Sequence, residues 1–368
     1  MRVLITADTV GGIWTYAREL VTGLVRRGVE VTLVSFGHIP EPRQLVWLDG
    51  LRHVDFRPTA FRLEWMQDAA EDIEASSEYL MAVIRETSPD VLHLNQFCYG
   101  ALAVDIPKIV VAHSDVVSWW VAVHGALPPR SHWMEWYRET VQAGLDRATT
   151  VIAPSRWMMS QIETHYGPRL QRGIIYNGRN PQCFNPHAGK EELVLTVGRL
   201  WDAAKQVSLL TKCDCGWPVI IAGETQHPDE AYRGDAMHMV CEGTLELRGK
   251  QNAEQLRSLF AGAALYAATS RYEPFGLALV EAALSRCAIV ANDIPSFREL
   301  WGETVCYFQP DDATSLRATI DRLRADTALR RQYAELAYQR ARRRYTAERM
   351  VDEYLQTYAS LTEERVAA

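Results

Sequence analysis

The sequence predicts an α/β protein built from two doubly wound, Rossmann-like halves, each a parallel sheet wrapped in helices. Three observations point there. Short apolar, β-branched runs alternate with helical periodicity along nearly the whole chain. The alternation lapses once, in an Asn-, Pro- and Gly-rich stretch from Asn177 onward, and then restarts from scratch. A length of 368 residues exceeds one ordinary core and suits two, at roughly 150 residues per domain.

Taken in order, residues 3–5 form a first strand, Gly11-Gly12 breaks it, and Tyr16, Leu20 and Leu24 recur at helical spacing until Gly28. Residues 29–36 alternate as the next strand, which completes a parallel βαβ unit. A helix is expected over 65–86, strands over 91–94, 108–112 and 149–153, and helices over 132–147 and 156–165. Beyond the linker, strands are expected over 193–197, 219–222, 264–268, 288–291 and 305–308, with helices over 252–261, 276–285 and 312–325. The tail is helical over 328–361, which is more helix than one sheet needs. The expected division is therefore 1–185, 186–345 and a final helix, 346–368, crossing back onto the first domain. Two such halves leave a cleft at the C-terminal edges of their sheets, where these folds bind ligands.

Composition narrows the function. Hydrophobic residues make up 48% and charged residues 23%, the balance of a soluble globular protein rather than a disordered or fibrous one. Forty-six acidic residues against 39 Lys and Arg give a net charge of −7, so no global basic field recommends nucleic acid. Tryptophan is in excess, with 11 residues. Seven cysteines lie at 98, 183, 213, 215, 241, 287 and 306. The one-residue gap between Cys213 and Cys215 suits neither a zinc knuckle nor a redox CxxC. All seven are expected to be reduced and structural. The N-terminal apolar stretch is too short for a signal peptide, and no run approaches the ~18 residues that span a bilayer. A cytoplasmic protein is expected, touching a membrane at most from its inner face.

Chemistry-bearing residues gather at strand ends. Asp8-Thr9-Val10-Gly11-Gly12 opens a helix whose free N–H groups suit an anion, although the same glycines also read as a tight turn. It is not GxGxxG, which disfavours a nicotinamide dinucleotide. Gly198-Arg199-Leu200 with Lys205 sets two cations where a diphosphate could sit, or two solvated surface cations. The strongest signal is Glu273-Pro274-Phe275-Gly276-Leu277-Ala278-Leu279-Val280-Glu281. Pro274 keeps Glu273 off helical geometry, Gly276 starts a helix, and Glu281 lies about one and a half turns in. Both carboxylates can then address the hydroxyls of one ligand.

This last element resembles the E-x7-E motif of retaining GT-B glycosyltransferases, family 4 most of all. The resemblance extends over nearly the whole chain: Gly11-Gly12, His113 at the end of Ile-Val-Val-Ala-His, Ala153-Pro154-Ser155, Asn177-Gly178 with Phe184-Asn185-Pro186, and Gly198-Arg199-Leu200 with Lys205. It implies two Rossmann-like domains facing across a cleft. It also implies transfer of a sugar from a nucleotide-diphosphate sugar, a UDP- or GDP-sugar, to an acceptor hydroxyl with retention and no cofactor. Arg199 and Lys205 would neutralise the leaving diphosphate, Glu281 hold the ribose, and Glu273 hold the donor sugar. Backbone amides at Phe275, Gly276 and Leu277 would bind sugar or phosphate oxygens, and His113 would touch the sugar near its reacting carbon. Arg248 would lie near the base. Where the family has Asn-Gly-Val-Asp, this chain reads Asn177-Gly178-Arg179-Asn180, which leaves the role of that Asp without support. The chain has no Asp-x-Asp, and metal-independent transfer is expected.

The acceptor would be a saccharide, a lipid-linked sugar or a small molecule, with no nucleic acid partner. Asn95-Gln96 at a strand end and Trp119-Trp120 in an expected loop are its candidate contacts, since indole faces stack on sugar rings. Trp133 and Trp136, three apart, also read as a buried helix stripe. The run Arg340, Arg342, Arg343, Arg344 reads either as a solvated helix face or as a rest on anionic lipid. A non-catalytic nucleotide-sugar-binding subunit and a GT-B epimerase or phosphorylase remain as alternative readings.

Overall fold

The computed structural model describes residues 1–227 and 245–367, the side chains of 364–367 excepted, so Cys241 lies outside the described residues. The chain divides into two compact units: Met1–Trp120 with Ala126–Asn177 and Ala347–Ala368, and Val121–Gly125 with Gly178–Thr346. The change of unit falls after Asn177 rather than at 185. The reason is local: Arg179 N already donates to Tyr345 O (2.9 Å) and the residue bridges Thr346.

Unit 1 holds seven strands: β1 (Arg2–Asp8), β2 (Glu30–Phe36), β3 (Val54–Pro58), β4 (Val91–Leu94), β5 (Lys108–Val111), β6 (Thr150–Ala153) and β7 (Arg172–Ile174). Their order is β3-β2-β1-β4-β5-β6-β7, all parallel, with Leu4 opposite Thr32 on one side and Leu92 on the other. Central strands covered on both faces read as continuous apolar runs, which is why periodicity found them. The two edges, β3 and β7, escaped it. They are half-exposed and carry Asp55, Arg57, Pro58 and Arg172, the residues that blunt sheet edges. The helix expected from 65 begins at Ala70, because Asp68 takes a left-handed backbone (φ 53°) that no helix interior accepts.

The last helix, Ala347–Ala367, belongs to this unit. It buries Met350, Val351, Tyr354 and Tyr358 in the same core as Leu20, Val21 and Leu24 of the helix Gly12–Val25. Gly23 permits the approach, since a Cβ there would run into the Val351 side chain.

Unit 2 repeats the plan with β8 (Glu191–Val197), β9 (Val219–Ala222), β10 (Leu245–Gly249), β11 (Ala263–Ala268), β12 (Ala288–Asn292) and β13 (Cys306–Phe308), ordered β10-β9-β8-β11-β12-β13. The edge strand β10 was again the one the pattern missed. In both sheets the order reverses once, between β1 and β4 and between β8 and β11, and ligands of wound sheets bind beyond the carboxyl ends at that point. The tail is two helices, Thr327–Arg344 and Ala347–Ala367, parted at the buried Tyr345. Among the described residues no helix is long and apolar enough to cross a membrane.

Candidate active site

In unit 1 the reversal point gathers the glycine loop, Asn95, Gln96 and His113. Gly11 caps the helix Gly12–Val25 with φ −151° and no side chain bonds the first turn. Neither glycine takes the left-handed backbone, and Gly11 holds an irregular conformation (φ −151°, ψ −149°) outside the helix and strand regions.

Asn95 is not an open group. Its Nδ2 donates to Thr6 O (2.5 Å), a carbonyl that can only accept, so Oδ1 is the end that faces His113 Nε2 at 2.7 Å. His113 therefore carries its proton on Nε2, and Nδ1 keeps the lone pair. Burial pushes the ring down to a pKa of about 3, which holds it neutral at physiological pH. Tyr16 stands edge-on to this ring, with centroids 4.5 Å apart. Behind it the fully buried His93 bonds Tyr16 OH through Nε2 (3.0 Å) and Tyr358 OH through Nδ1 (2.7 Å), and burial likewise lowers it to about 3. Gln96 is buried, and neither its Nε2 nor its Oε1 has a partner among the described residues.

Two carboxylates that the sequence reading missed shape this end of the sheet. Glu64 accepts from the N–H groups of Phe97 (2.9 Å) and Cys98 (2.7 Å), fixing the turn after Gln96, and its burial raises its pKa. Asp115 accepts from Ser118 N (2.7 Å), Tyr137 OH (3.1 Å) and Tyr166 OH (2.6 Å). The Asp115-to-Ser118 bond is an N-cap, and it corrects one expectation: Trp119 and Trp120 lie on the helix Val116–His124, not in a loop. Their rings meet at 6.4 Å and both are half-buried. Trp133 is structural, with Nε1 donating to Met66 O (3.0 Å) and its ring against Tyr137. Trp136 is half-buried on the same helix.

Unit 2 has an ionic site. Lys205 Nζ lies 2.5 Å from Glu273 Oε2, and both line a small pocket with Gly198, Thr269 and Ser270. The Lys205 loop is tied to the end of β11, with Thr269 Oγ1 donating to Lys205 O (2.7 Å) and Arg271 N to Ala204 O (2.8 Å). Arg199 pairs with Asp202 (2.7 Å) and covers the Trp201 ring at 4.9 Å. Gly276 must be glycine: its φ is +84°, and a Cβ would stand 2.8 Å from Leu279 Cδ1 and 3.1 Å from Glu273 Cγ. It starts the helix Leu277–Leu284, which no side chain caps. Phe275 is buried edge-on against Tyr345. Glu281, on that helix, lies 2.8 Å from Arg179 Nε. Arg248, at the end of β10, is exposed and pairs with Glu246 (2.8 Å).

Six cysteines are described and all are free; Cys213 and Cys215 bring their Sγ atoms to 3.1 Å. In the basic run, the Arg340 guanidinium bonds the carbonyls of Leu300 and Glu299, while Arg342 and Arg343 stay exposed.

Residues 10–182 match the Glycosyltransferase Family 4 model, and residues 183–340 match the Glycosyl transferases group 1 model. The chain is a glycosyltransferase of the GT-B fold that resembles family 4. An uncharacterized glycosyltransferase of Methanocaldococcus jannaschii is 22% identical, over 95% of this chain and 94% of its own. Sucrose-phosphate synthase of Thermosynechococcus elongatus superposes with a TM-score of 0.81 at 20% identity, over 99% of this chain and all of that one (100%). Anabaena HepE, solved with UDP-glucose, gives 0.73 at 17% identity, over 98% of this chain and 100% of its own.

Proposed function

We propose that the protein moves a sugar from a nucleoside diphosphate sugar to an acceptor hydroxyl with retention of configuration and without a metal ion. The observation that carries this reading is the pairing of Lys205 with Glu273 at the point where the second sheet reverses. A cation and a carboxylate fixed side by side suit a ligand whose diphosphate adjoins a polyhydroxylated ring.

Lys205, with Arg199, neutralises the diphosphate as the bond to the sugar's anomeric carbon breaks. Amides at Phe275, Gly276 and Leu277 add N–H donors at an uncapped helix start. Glu273 accepts from sugar hydroxyls and Glu281 from the ribose. His113, neutral with Nδ1 unprotonated, takes a hydrogen bond from the donor sugar and does not act as an acid. The acceptor oxygen attacks the face that the phosphate leaves, and its proton passes to a phosphate oxygen. Positioning and fixed charge do the work.

UDP- and GDP-sugars are the donors of first choice; the UDP-glucose held by the fold neighbour HepE supports UDP. Gln96 with its open amide, and Trp119 with Trp120, receive the acceptor, a saccharide, lipid-linked sugar or small molecule. Arg248 is the weakest of the donor contacts, being exposed and paired.

Incubation with UDP-, GDP- and ADP-sugars in excess EDTA, following nucleotide release and the anomeric proton by NMR, tests the proposal. Release from one nucleotide class, undiminished by EDTA and with retained configuration, is expected. Dependence on Mn²⁺ or Mg²⁺ overturns the metal-free reading, inversion overturns retention, and no release from any donor leaves a binding protein.

A further inference from the structure

Arg179 occupies a position where the resembling family carries a small apolar residue, and nothing in the reaction described above uses it. It is a long cation inside unit 2, with 6% of its side chain exposed. Its backbone is pinned by the bond from its N–H to Tyr345 O and by the bridge to Thr346. Its guanidinium lies over the Phe184 ring at 5.4 Å, and Nε stands 2.8 Å from Glu281 Oε1.

A guanidinium taken out of water is tolerated only where a carboxylate meets it in a fixed geometry. Arg suits this better than Lys, since its charge is permanent and its donors are planar. The consequence falls on Glu281. Its side chain is 12% exposed and sits on a helix beside a buried cation, which restricts its orientation. Arg179 meets one carboxylate oxygen, Oε1.

We propose that Arg179 is a positioning residue: it fixes Glu281 so that one carboxylate oxygen reads the vicinal diol of the donor's ribose, and it thereby makes the enzyme select ribonucleotides over 2′-deoxyribonucleotides. The proposal rests on the reading of Glu281 as the ribose-binding group. A preorganised carboxylate accepts two hydroxyl bonds at a small ordering cost, whereas an unanchored one must first be ordered.

The test is calorimetric titration of the whole protein with UDP, GDP and ADP and with dUDP, dGDP and dADP. For the preferred base, the native chain should bind the ribonucleotide about tenfold or more tightly than its deoxy counterpart, the scale of one hydrogen bond to a charged group. Arg179→Met should reduce that preference to about threefold or less, while Arg199→Ala, which touches no ribose contact, weakens both nucleotides alike and keeps the ratio. If Met at 179 fails to fold by circular dichroism, Arg179→Lys carries the test: charge without the planar fork should give a preference of about three- to fivefold. A native ratio in a folded Arg179→Met or Arg179→Lys variant overturns the proposal. Glu281→Ala separates the two ideas. If it leaves the native ratio intact, the ribose reading of Glu281 itself is wrong; if it abolishes the ratio while Arg179→Met does not, only the role of Arg179 fails.

Discussion

The two units share one strand order, extended by β7 in unit 1, and reverse it at the same place, yet they furnish that place with different chemistry. In unit 1 the imidazoles are neutral: His113 on Asn95, and His93 between Tyr16 and Tyr358, both pushed far below their usual pKa by burial, while the carboxylates Glu64 and Asp115 are taken up by backbone N–H groups and tyrosine hydroxyls. In unit 2 the contacts are ionic: Lys205 with Glu273, Arg199 with Asp202, Arg179 with Glu281. The same topology therefore does not dictate the electrostatics of its binding edge. An edge of hydrogen-bonding groups suits hydroxyls, and one built from ion pairs suits a diphosphate.

The largest effects expected test what the two edges have in common, close backbone contact. A Cβ on Gly144 would overlap the Phe97 carbonyl behind the Asn95–Gln96 turn, and one on Gly223 would overlap the Gly198 carbonyl beside Lys205. Gly144→Ala and Gly223→Ala should each lose about 3 kcal/mol in urea unfolding, because backbone cannot yield as a side-chain tip does. Native-like midpoints would show that these contacts are slack.

Next comes the ionic edge. Lys205→Ala and Glu273→Ala should each slow donor-dependent nucleotide release by about a hundredfold, the scale of one lost transition-state contact. Unchanged rates would move the site elsewhere.

The imidazoles of unit 1 answer to pH instead. His93 titrates at about 3 when folded against 6.5 as its ordinary value, so the folded state holds fewer protons between these limits. Its stabilising share is whole above pH 6.5 and drains away as pH falls, by about 2 kcal/mol on reaching pH 5. His93→Gln should flatten the acid limb of the melting-temperature profile; an unaltered slope would mean that other groups set it. The smallest effect is His53→Gly. His53 is exposed and holds a left-handed backbone (φ 68°) just before the edge strand β3, and relief of that strain should add about 1 kcal/mol, readable as a raised Tm.

Legibility followed burial. Strands covered on both faces, such as β1, β2, β11 and β12, declared themselves, while the edges β3, β7 and β10 did not, since half-exposed strands keep polar residues that break the pattern. At the site, Glu273 through Glu281 and Gly198-Arg199 with Lys205 were readable because each is one local stretch. Glu64 was not, because it serves Phe97 and Cys98 from 33 and 34 residues away. The Trp119–Trp120 helix was within reach, because Asp115 three residues before Ser118 is a cap signal.

By itself the sequence determined two wound α/β halves, the glycine-bounded strand ends, and the residue types that a sugar transfer needs. These follow from local periodicity and from backbone angles that only certain residues adopt. Only the tertiary structure decided that the last helix joins unit 1, that His113 is protonated on Nε2 and neutral, and that Glu281 answers to Arg179. Each depends on partners and desolvation supplied by segments remote in the chain, and no window along the sequence contains both sides of such a contact.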